Sequence, residues 1–97
     1  MTSRVKTITI QIGNSDDKLS QREWAEFVGC VNDAIQQSCE HVHFSGSPAG
    51  TAPWQNAAWV VEVPDHSIPT LKRAVTSIRS SYSQDSAAWT EGETQFI

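Results

Sequence analysis

Apolar and polar residues alternate along the segment from Val5 to Gly13, whose sequence is VKTITIQIG. Its three isoleucines fall on one side and its threonines on the other, which is the period of a strand with one buried face. A second strand of this kind is predicted over Ala57 to Val63, which is rich in β-branched and aromatic residues. A short alternating run, Glu93 to Ile97, predicts a last strand at the end of the sequence.

A further short strand is predicted over residues 40–45, where the period of two recurs. Strict alternation places Val42 and Phe44 inward and the two histidines, His41 and His43, outward. The run then gives way to the Gly-, Pro- and Ser-rich sequence SGSPAGTAP, which predicts a loop.

Two segments carry apolar residues at helical spacing. The first begins at Ser20, which forms the sequence pattern of a capping box with Glu23. The second follows Ser67, a candidate N-cap, and Pro69 suits its first turn. Its apolar positions continue at spacings of three and four residues as far as Tyr82.

The predicted order of elements is therefore β-α-β-β-α-β within one domain of 97 residues. Two right-handed crossovers on an antiparallel sheet give a ferredoxin-like α+β fold, with two helices on one face of a four-stranded sheet. The strand order expected for this topology is 4-1-3-2. It brings three polar loops, Asn14 to Lys18, Ser45 to Asn56 and Ser83 to Glu93, to one end of the molecule.

These three loops form the predicted binding site. Indole rings would stack on a planar ligand, carboxamides would bind its edges, and carboxylates would accept hydrogen bonds or hold a cation. The same residue types also form turns and caps, so a purely structural role is the alternative. The candidate ligand-binding residues are Asn14, Ser15, Asp16, Asp17, Trp54, Gln55, Asn56, Gln84, Asp85, Ser86 and Trp89.

The formal net charge of −4 opposes nucleic-acid binding, because a protein that binds phosphate backbones normally carries excess positive charge. No long apolar stretch predicts a membrane span, and a cytoplasmic protein is expected. Cys30 and Cys39 fall on one helix and its exit, which places them too far apart for a disulfide, so reduced thiols are expected. No cofactor is predicted.

The sequence Cys39-Glu40-His41-Val42-His43 invites a metal interpretation, because both imidazoles of an H-x-H pair face one side of a strand. Glu62 of the neighbouring strand would add a carboxylate. The set is incomplete by comparison with zinc sites, and an exposed edge-strand face is the favoured interpretation.

Three stretches resemble a group of small proteins encoded by phages of actinobacteria and sometimes by their hosts. They are IGNSDDKLSQREW (Ile12 to Trp24), APWQNAAWVVEVP (Ala52 to Pro64) and YSQDSAAWTEGETQFI (Tyr82 to Ile97), and together they cover about half of the chain. The resemblance implies a phage-type accessory protein in the host cytoplasm. Countering host defence is a common occupation of such proteins.

The favoured function is a non-enzymatic module that captures a small, nucleotide-like ligand at the three loops. One alternative is an inhibitor that occupies a host enzyme with its acidic surface and edge strand. Another is a phosphoesterase in which Asp16, Asp17 and Asp85 hold a divalent cation, although no nucleophile–base pair is evident. The half-polar outer face of the sheet also suggests a homodimer.

Overall fold

The computed structural model describes residues 4–48 and 55–97, in which strands and helices follow one another in the predicted order. All but the last strand lie close to their predicted positions. The strands are β1 (Val5–Gly13), β2 (His41–Gly46), β3 (Asn56–Pro64) and β4 (Ala88–Gly92), and the helices are α1 (Gln21–Ser38) and α2 (Ile68–Ser81).

The strands form one sheet of order β2-β3-β1-β4, in which every neighbouring pair is antiparallel. The predicted order is therefore confirmed. Strands β1 and β2 run in the same direction, so the connections that follow β1, β2 and α2 lie at the same end of the sheet. We call it the three-loop end; its loops comprise residues 14–20, 47–55 and 82–87, and residues 49–54 lie outside the described part of the chain.

One face of the sheet packs against both helices and forms the core. The side chains contributed by β1 and β3 alternate, as the period of two predicts, and those of the helices recur every three or four residues. The most deeply buried residues are Ile8, Ile10, Phe27, Val31, Ile35, Val61, Val63 and Leu71, each of which is fully inaccessible to solvent.

The two helices begin differently. Ser20 caps α1 with the predicted capping box, in which the Glu23 amide donates to the Ser20 hydroxyl at 3.2 Å and the Ser20 amide donates to the Glu23 carboxylate at 3.0 Å. Ser67 precedes α2, but its side chain makes no capping hydrogen bond. Ser67 is thus the N-cap residue of α2, as predicted, but a 3-10 turn over Asp65–Ser67 leads directly into the helix and its hydroxyl is not used as a cap.

The other face of the sheet, opposite the helices, is called the outer face. It is occupied by Thr7, Thr9, Gln11, His41, His43, Phe44, Gly46, Asn56, Ala58, Val60, Glu62, Ala88 and Thr90. Phe44 belongs to it because a β-bulge separates Val42 from Phe44, whose partners are the consecutive residues Val61 and Val60. The prediction that Phe44 faces inward is wrong, since a bulge inverts the alternation that follows it, and the ring is 56% exposed.

The last strand also differs from the prediction. Residues 88–92 pair with β1, so that Trp89 lies opposite Ile10, whereas Glu93–Ile97 forms no strand. Strand β4 is an edge strand with a single partly buried side chain, so its sequence carries little alternation. The segment Glu93–Ile97 instead turns over the outer face, where the Thr94 hydroxyl contacts the Thr7 hydroxyl.

Candidate functional site

Asn14 joins the loop after β1 to the start of β3. Its carboxamide closes a local turn by accepting from the Leu19 amide at 2.9 Å and donating to the Leu19 carbonyl at 2.9 Å. The same Nδ2 donates to Oε1 of Gln55 at 2.7 Å, and the Asn14 backbone amide donates to the Gln55 carbonyl at 3.1 Å. Gln55 in turn donates to Gln21 of α1 at 3.0 Å. The prediction that the loops meet is thus confirmed for this pair.

Gln84 joins the third loop to the first. It is the buried polar residue of the described chain, with 2% of its surface exposed. Its Oε1 accepts from the Ser15 amide at 2.9 Å and its Nε2 donates to the Tyr82 carbonyl at 3.1 Å. The backbone of Gln84 is held by Arg79, whose carbonyl accepts from the Gln84 amide and whose guanidinium donates to the Gln84 carbonyl. Every polar atom of the carboxamide group therefore has a partner within the protein.

The acidic residues of the three-loop end point into solvent. Asp16 and Asp17 adopt left-handed backbone conformations with φ of 54° and are exposed. The Asp85 side chain is 82% exposed and lies 3.9 Å from the Lys18 ammonium group. Ser86 is also exposed. These side chains lie around the hydrogen-bonded loops and do not converge on an enclosed pocket.

Trp89, one of the two tryptophans expected at this end, is not a stacking plate there. Trp54 lies outside the described residues. Trp89 belongs to β4 and packs against the core on the helix side of the sheet, where the Lys72 ammonium lies 5.3 Å from its ring centroid and its indole N–H donates to Glu91 at 3.0 Å. Its assignment to the binding site is a consequence of the misplaced last strand.

Asn56 is the first residue of β3 and pairs with Gly13, the last residue of β1, so it also lies at the three-loop end. A methyl group at Gly13 would lie 3.0 Å from the Asn56 side-chain oxygen, so the glycine permits a close approach between the two strands. The three-loop end therefore brings together Asn14, Ser15, Gln55 and Gln84, and their polar groups bind one another.

A different polar cluster lies on the outer face, at the end opposite the three loops. Oε1 of Glu62 accepts from the Thr7 hydroxyl at 2.9 Å and lies 2.9 Å from Nε2 of His43. The His41 and His43 rings meet edge to face with centroids 4.7 Å apart. The sequence indicates this cluster through its H-x-H pattern, but only the bulge in β2 brings His43 onto Glu62.

Opposing effects set the pKa of Glu62. Burial of the side chain, which is 18% exposed, acts to raise the pKa of this carboxyl group. Hydrogen bonds from His43 and Thr7 and the attraction of the imidazole charge outweigh burial, so the pKa of Glu62 lies below its ordinary value. The ionised form of the carboxyl group is thus favoured by the hydrogen bonds of its neighbours.

This cluster does not constitute a metal site. Within residues 4–48 and 55–97, no three His, Cys, Asp or Glu side chains are arranged to hold a metal ion. Cys39, the first residue of the Cys-Glu-His-Val-His sequence, is the C-cap of α1, and partial burial raises the pKa of its thiol. Both cysteines are free thiols.

Two concave regions flank the end of β2. A groove of about 260 Å³ lies on the helix side, between α1 and the edge of the sheet, and its walls include Trp24, Asn32 and Trp59. A hollow of about 190 Å³ lies on the outer face. Both are smaller than the clefts of roughly 300–1,000 Å³ that usually enclose drug-sized ligands. The outer-face hollow is lined by Gln11, Ile12, Phe44, Gly46, Ser47, Pro48, Asn56, Ala57 and Ala58.

Solved structures of the same architecture are known. A dimeric ferredoxin-like protein of unknown function from Thermobifida fusca superposes with a TM-score of 0.62 at 7% identity, covering 97% of this chain and 100% of that one. A dimeric protein of unknown function and ferredoxin-like fold from Bacteroides fragilis gives 0.53 at 14% identity over 96% of this chain and 100% of that one. The fold is ferredoxin-like.

A protein from Galdieria sulphuraria gives a TM-score of 0.53 at 11% identity, and the match covers 96% of this chain and 50% of that one. At these identities the likeness establishes the fold and nothing about function. No family model matches the chain, and no curated protein is significantly similar to it. In the described part of the ferredoxin-like chain, neither helix has the length and apolar character needed to cross a membrane.

Proposed function

We propose that the protein is a non-enzymatic module that acts as a homodimer, in which two copies join through the outer faces of their sheets. The observation that carries this proposal is the distribution of charge. The outward-facing positions of the described strands include no Lys, Arg or Asp, and their one carboxylate, Glu62, is in hydrogen-bond contact with His43. Depletion of charge is the compositional mark of an interface core.

Apolar exposure supports the same conclusion. Phe44 is 56% exposed and Phe96 is 85% exposed, and both lie on the outer side of the sheet. Small uncharged residues such as Ala58 and Thr90 occupy other positions of this face. Burial of such a face costs little desolvation free energy, because the face carries few strongly hydrated groups.

The comparisons add independent support. Two of the structures with the same fold, those from Thermobifida fusca and Bacteroides fragilis, are described as dimeric. A ferredoxin-like sheet carries helices on one face only, so its other face is available for pairing with a second sheet.

Mass measurement across micromolar concentrations tests the proposal, by light scattering or sedimentation. The wild-type protein is expected to have the mass of two chains. Phe44→Glu places a carboxylate on the outer face and is expected to yield monomers, because the charge would be buried without a partner. Gln36→Glu adds the same charge to an exposed position of α1 and serves as the control. A monomeric wild type would overturn the proposal.

Capture of a small ligand at the three-loop end is a second candidate. The exposed carboxylates of Asp16, Asp17 and Asp85 favour it, because they lie around the hydrogen-bonded loops and are accessible to a cation or a hydrogen-bond donor. A thermal-shift panel of nucleotides with and without Mg²⁺ tests this role. Stabilisation that disappears in Asp16→Ala and Asp85→Ala supports it, and no response to any nucleotide counts against it.

The sequence resemblance supports a phage-type accessory role for the module, with a host protein as partner. Affinity capture from a host lysate tests this role, with Phe44→Glu as the comparison. A partner retained by wild type and lost by the variant would place the host contact on the outer face. A partner retained equally by both would place it elsewhere, for instance at the acidic three-loop end.

A further inference from the structure

The outer face is not uniform from one end to the other. At the end away from the three loops it is crossed by Glu93–Ile97, and Phe96 lies beside β2 with its ring centroid 6.0 Å from that of His43. At the three-loop end the same face is concave, with the hollow beside Phe44. One end therefore presents a projecting aromatic side chain and the other a recess.

Missing side-chain volume creates the hollow. Gly46 leaves room for the Phe44 ring, since a methyl group at Gly46 would lie 2.8 Å from the ring's Cζ atom. Ala58 supplies the floor on β3, next to Gly46 in the sheet. The resulting space of about 190 Å³ is below the usual range for drug-sized ligands. Its size and apolar walls suit a single aromatic side chain.

Phe96 does not fill the hollow of its own chain. No residue of Glu93–Ile97 lines the hollow, and the ring lies near His43, further back along β2. From His43 to Gly46 the strand advances by about 10 Å at about 3.3 Å per residue. The projection and the recess are thus separated along the same strand.

We infer that Phe96 of each copy inserts into the outer-face hollow of the other copy. This inference rests on the proposed homodimer and specifies how its two faces fit together. A two-fold axis that lies between the sheets and runs across the strands exchanges the two ends of each strand. It carries the partner's projecting ring to the recess, and the same contact is made twice, as an isologous interface requires.

Phe96 is consequently an anchor of the interface, an aromatic side chain buried in a preformed pocket. Phe96→Ser is expected to raise the dissociation constant of the dimer by about tenfold or more, because both copies of the contact are lost. Gln95→Ala, on the same segment, is the matched control and leaves the dissociation constant within about twofold.

Filling the recess gives a complementary variant. Ala58→Phe occupies the hollow with a side chain from its own floor, and Gln11→Trp occupies it from β1. Each is expected to raise the dissociation constant of the dimer about as much as Phe96→Ser does. Ala58→Ser, which leaves the space open, is the control. Circular dichroism checks that each variant is folded, and two independent fillings keep the test valid if one of them unfolds the chain.

Mixing the two kinds of variant distinguishes insertion into the partner from insertion into the same chain. Phe96→Ser retains an open recess and Ala58→Phe retains the projecting ring, so one of the two contacts is restored only in the mixed dimer. Titration of a labelled Phe96→Ser protein with Ala58→Phe or Gln11→Trp protein is expected to give mixed dimers at concentrations at which each variant alone is monomeric.

The outcomes separate this inference from the proposed function. A wild-type dimer that is unaffected by Phe96→Ser and by both fillings would overturn the insertion and leave the dimer standing. Weakening by single variants without recovery on mixing would also overturn it, since the ring would then act within its own chain. A wild-type monomer would overturn both.

Discussion

Single carboxamide groups hold the three-loop end together. Asn14 and Gln84 hydrogen-bond to backbone groups of other loop residues, and they leave no polar side-chain atom of the described core without a partner. A buried amide whose partner is removed costs more than the hydrogen bond itself contributed, because the remaining group is left desolvated. These residues therefore stabilise the fold, whatever binds at the surface around them.

The first prediction concerns Gln84. Replacement by Leu removes the acceptor of the Ser15 amide and the donor to the Tyr82 carbonyl, and it is expected to lower the free energy of unfolding by about 1–3 kcal/mol. Urea denaturation measures the change. Asp85→Ala, in the same loop, is the control and is expected to stay within about 0.5 kcal/mol, because its contact with Lys18 is exposed. Equal losses for the two variants would contradict the assignment.

The second prediction concerns pH. The pKa of Glu62 is lowered in the folded state, so ionised Glu62 stabilises the fold above its ordinary pKa of about 4.3. That contribution is lost as the pH falls through the lower pKa of the folded state. Glu62→Gln cannot ionise, and its free energy of unfolding should therefore fall less steeply between about pH 5 and about pH 3 than that of wild type. Parallel pH profiles would contradict this.

Among the elements, helix α1 shows how well local signals predict structure. Its first turn needs only Ser20 and Glu23, which lie three residues apart, and the capping box forms as the sequence pattern implies. Strand β2 shows the opposite. Its bulge depends on the register with β3, and one unpaired residue is sufficient to send Phe44 to the solvent side.

The third prediction tests the cap. Ser20→Ala removes the acceptor of the Glu23 amide and is expected to destabilise the protein by about 0.5–2 kcal/mol in urea denaturation. Ser77→Ala makes the same replacement at an exposed position inside α2, where alanine favours the helix, and is expected to be neutral or slightly stabilising. A loss for Ser77→Ala as large as that for Ser20→Ala would show that the cap has no special role.

At the scale of the whole molecule, the fold concentrates its helices on one side and leaves a nearly uncharged sheet face on the other. The fourth prediction follows from this. Association stabilises only the folded state, so the unfolding midpoint of wild type should rise with protein concentration. A tenfold increase contributes about 1.4 kcal/mol per dimer, which corresponds to a shift of a few degrees.

Differential scanning fluorimetry at several concentrations measures this shift. Phe44→Glu is expected to melt at one temperature whatever its concentration, whereas Gln36→Glu should behave as wild type does. A wild-type midpoint that is independent of concentration would mean that the folded protein does not associate in the range examined.

The sequence alone determined the order of the elements, the core faces of β1, β3 and both helices, and the meeting of the three loops. These features follow from local periodicity and from chain topology, which short-range patterns encode. The sequence did not locate β4, because an edge strand with one partly buried side chain, Trp89, has no clear alternation of apolar and polar residues.

Only the tertiary structure decided the roles of the polar residues. Whether Asn14 and Gln84 face a ligand or one another depends on contacts between segments far apart in the chain, and no local pattern contains that information. The same is true of Phe44, His43 and Phe96. The bulge in β2 and the path of the final segment place them on one face of the sheet. Both depend on pairing between distant strands, and the period of two in a strand sequence does not predict an inserted residue.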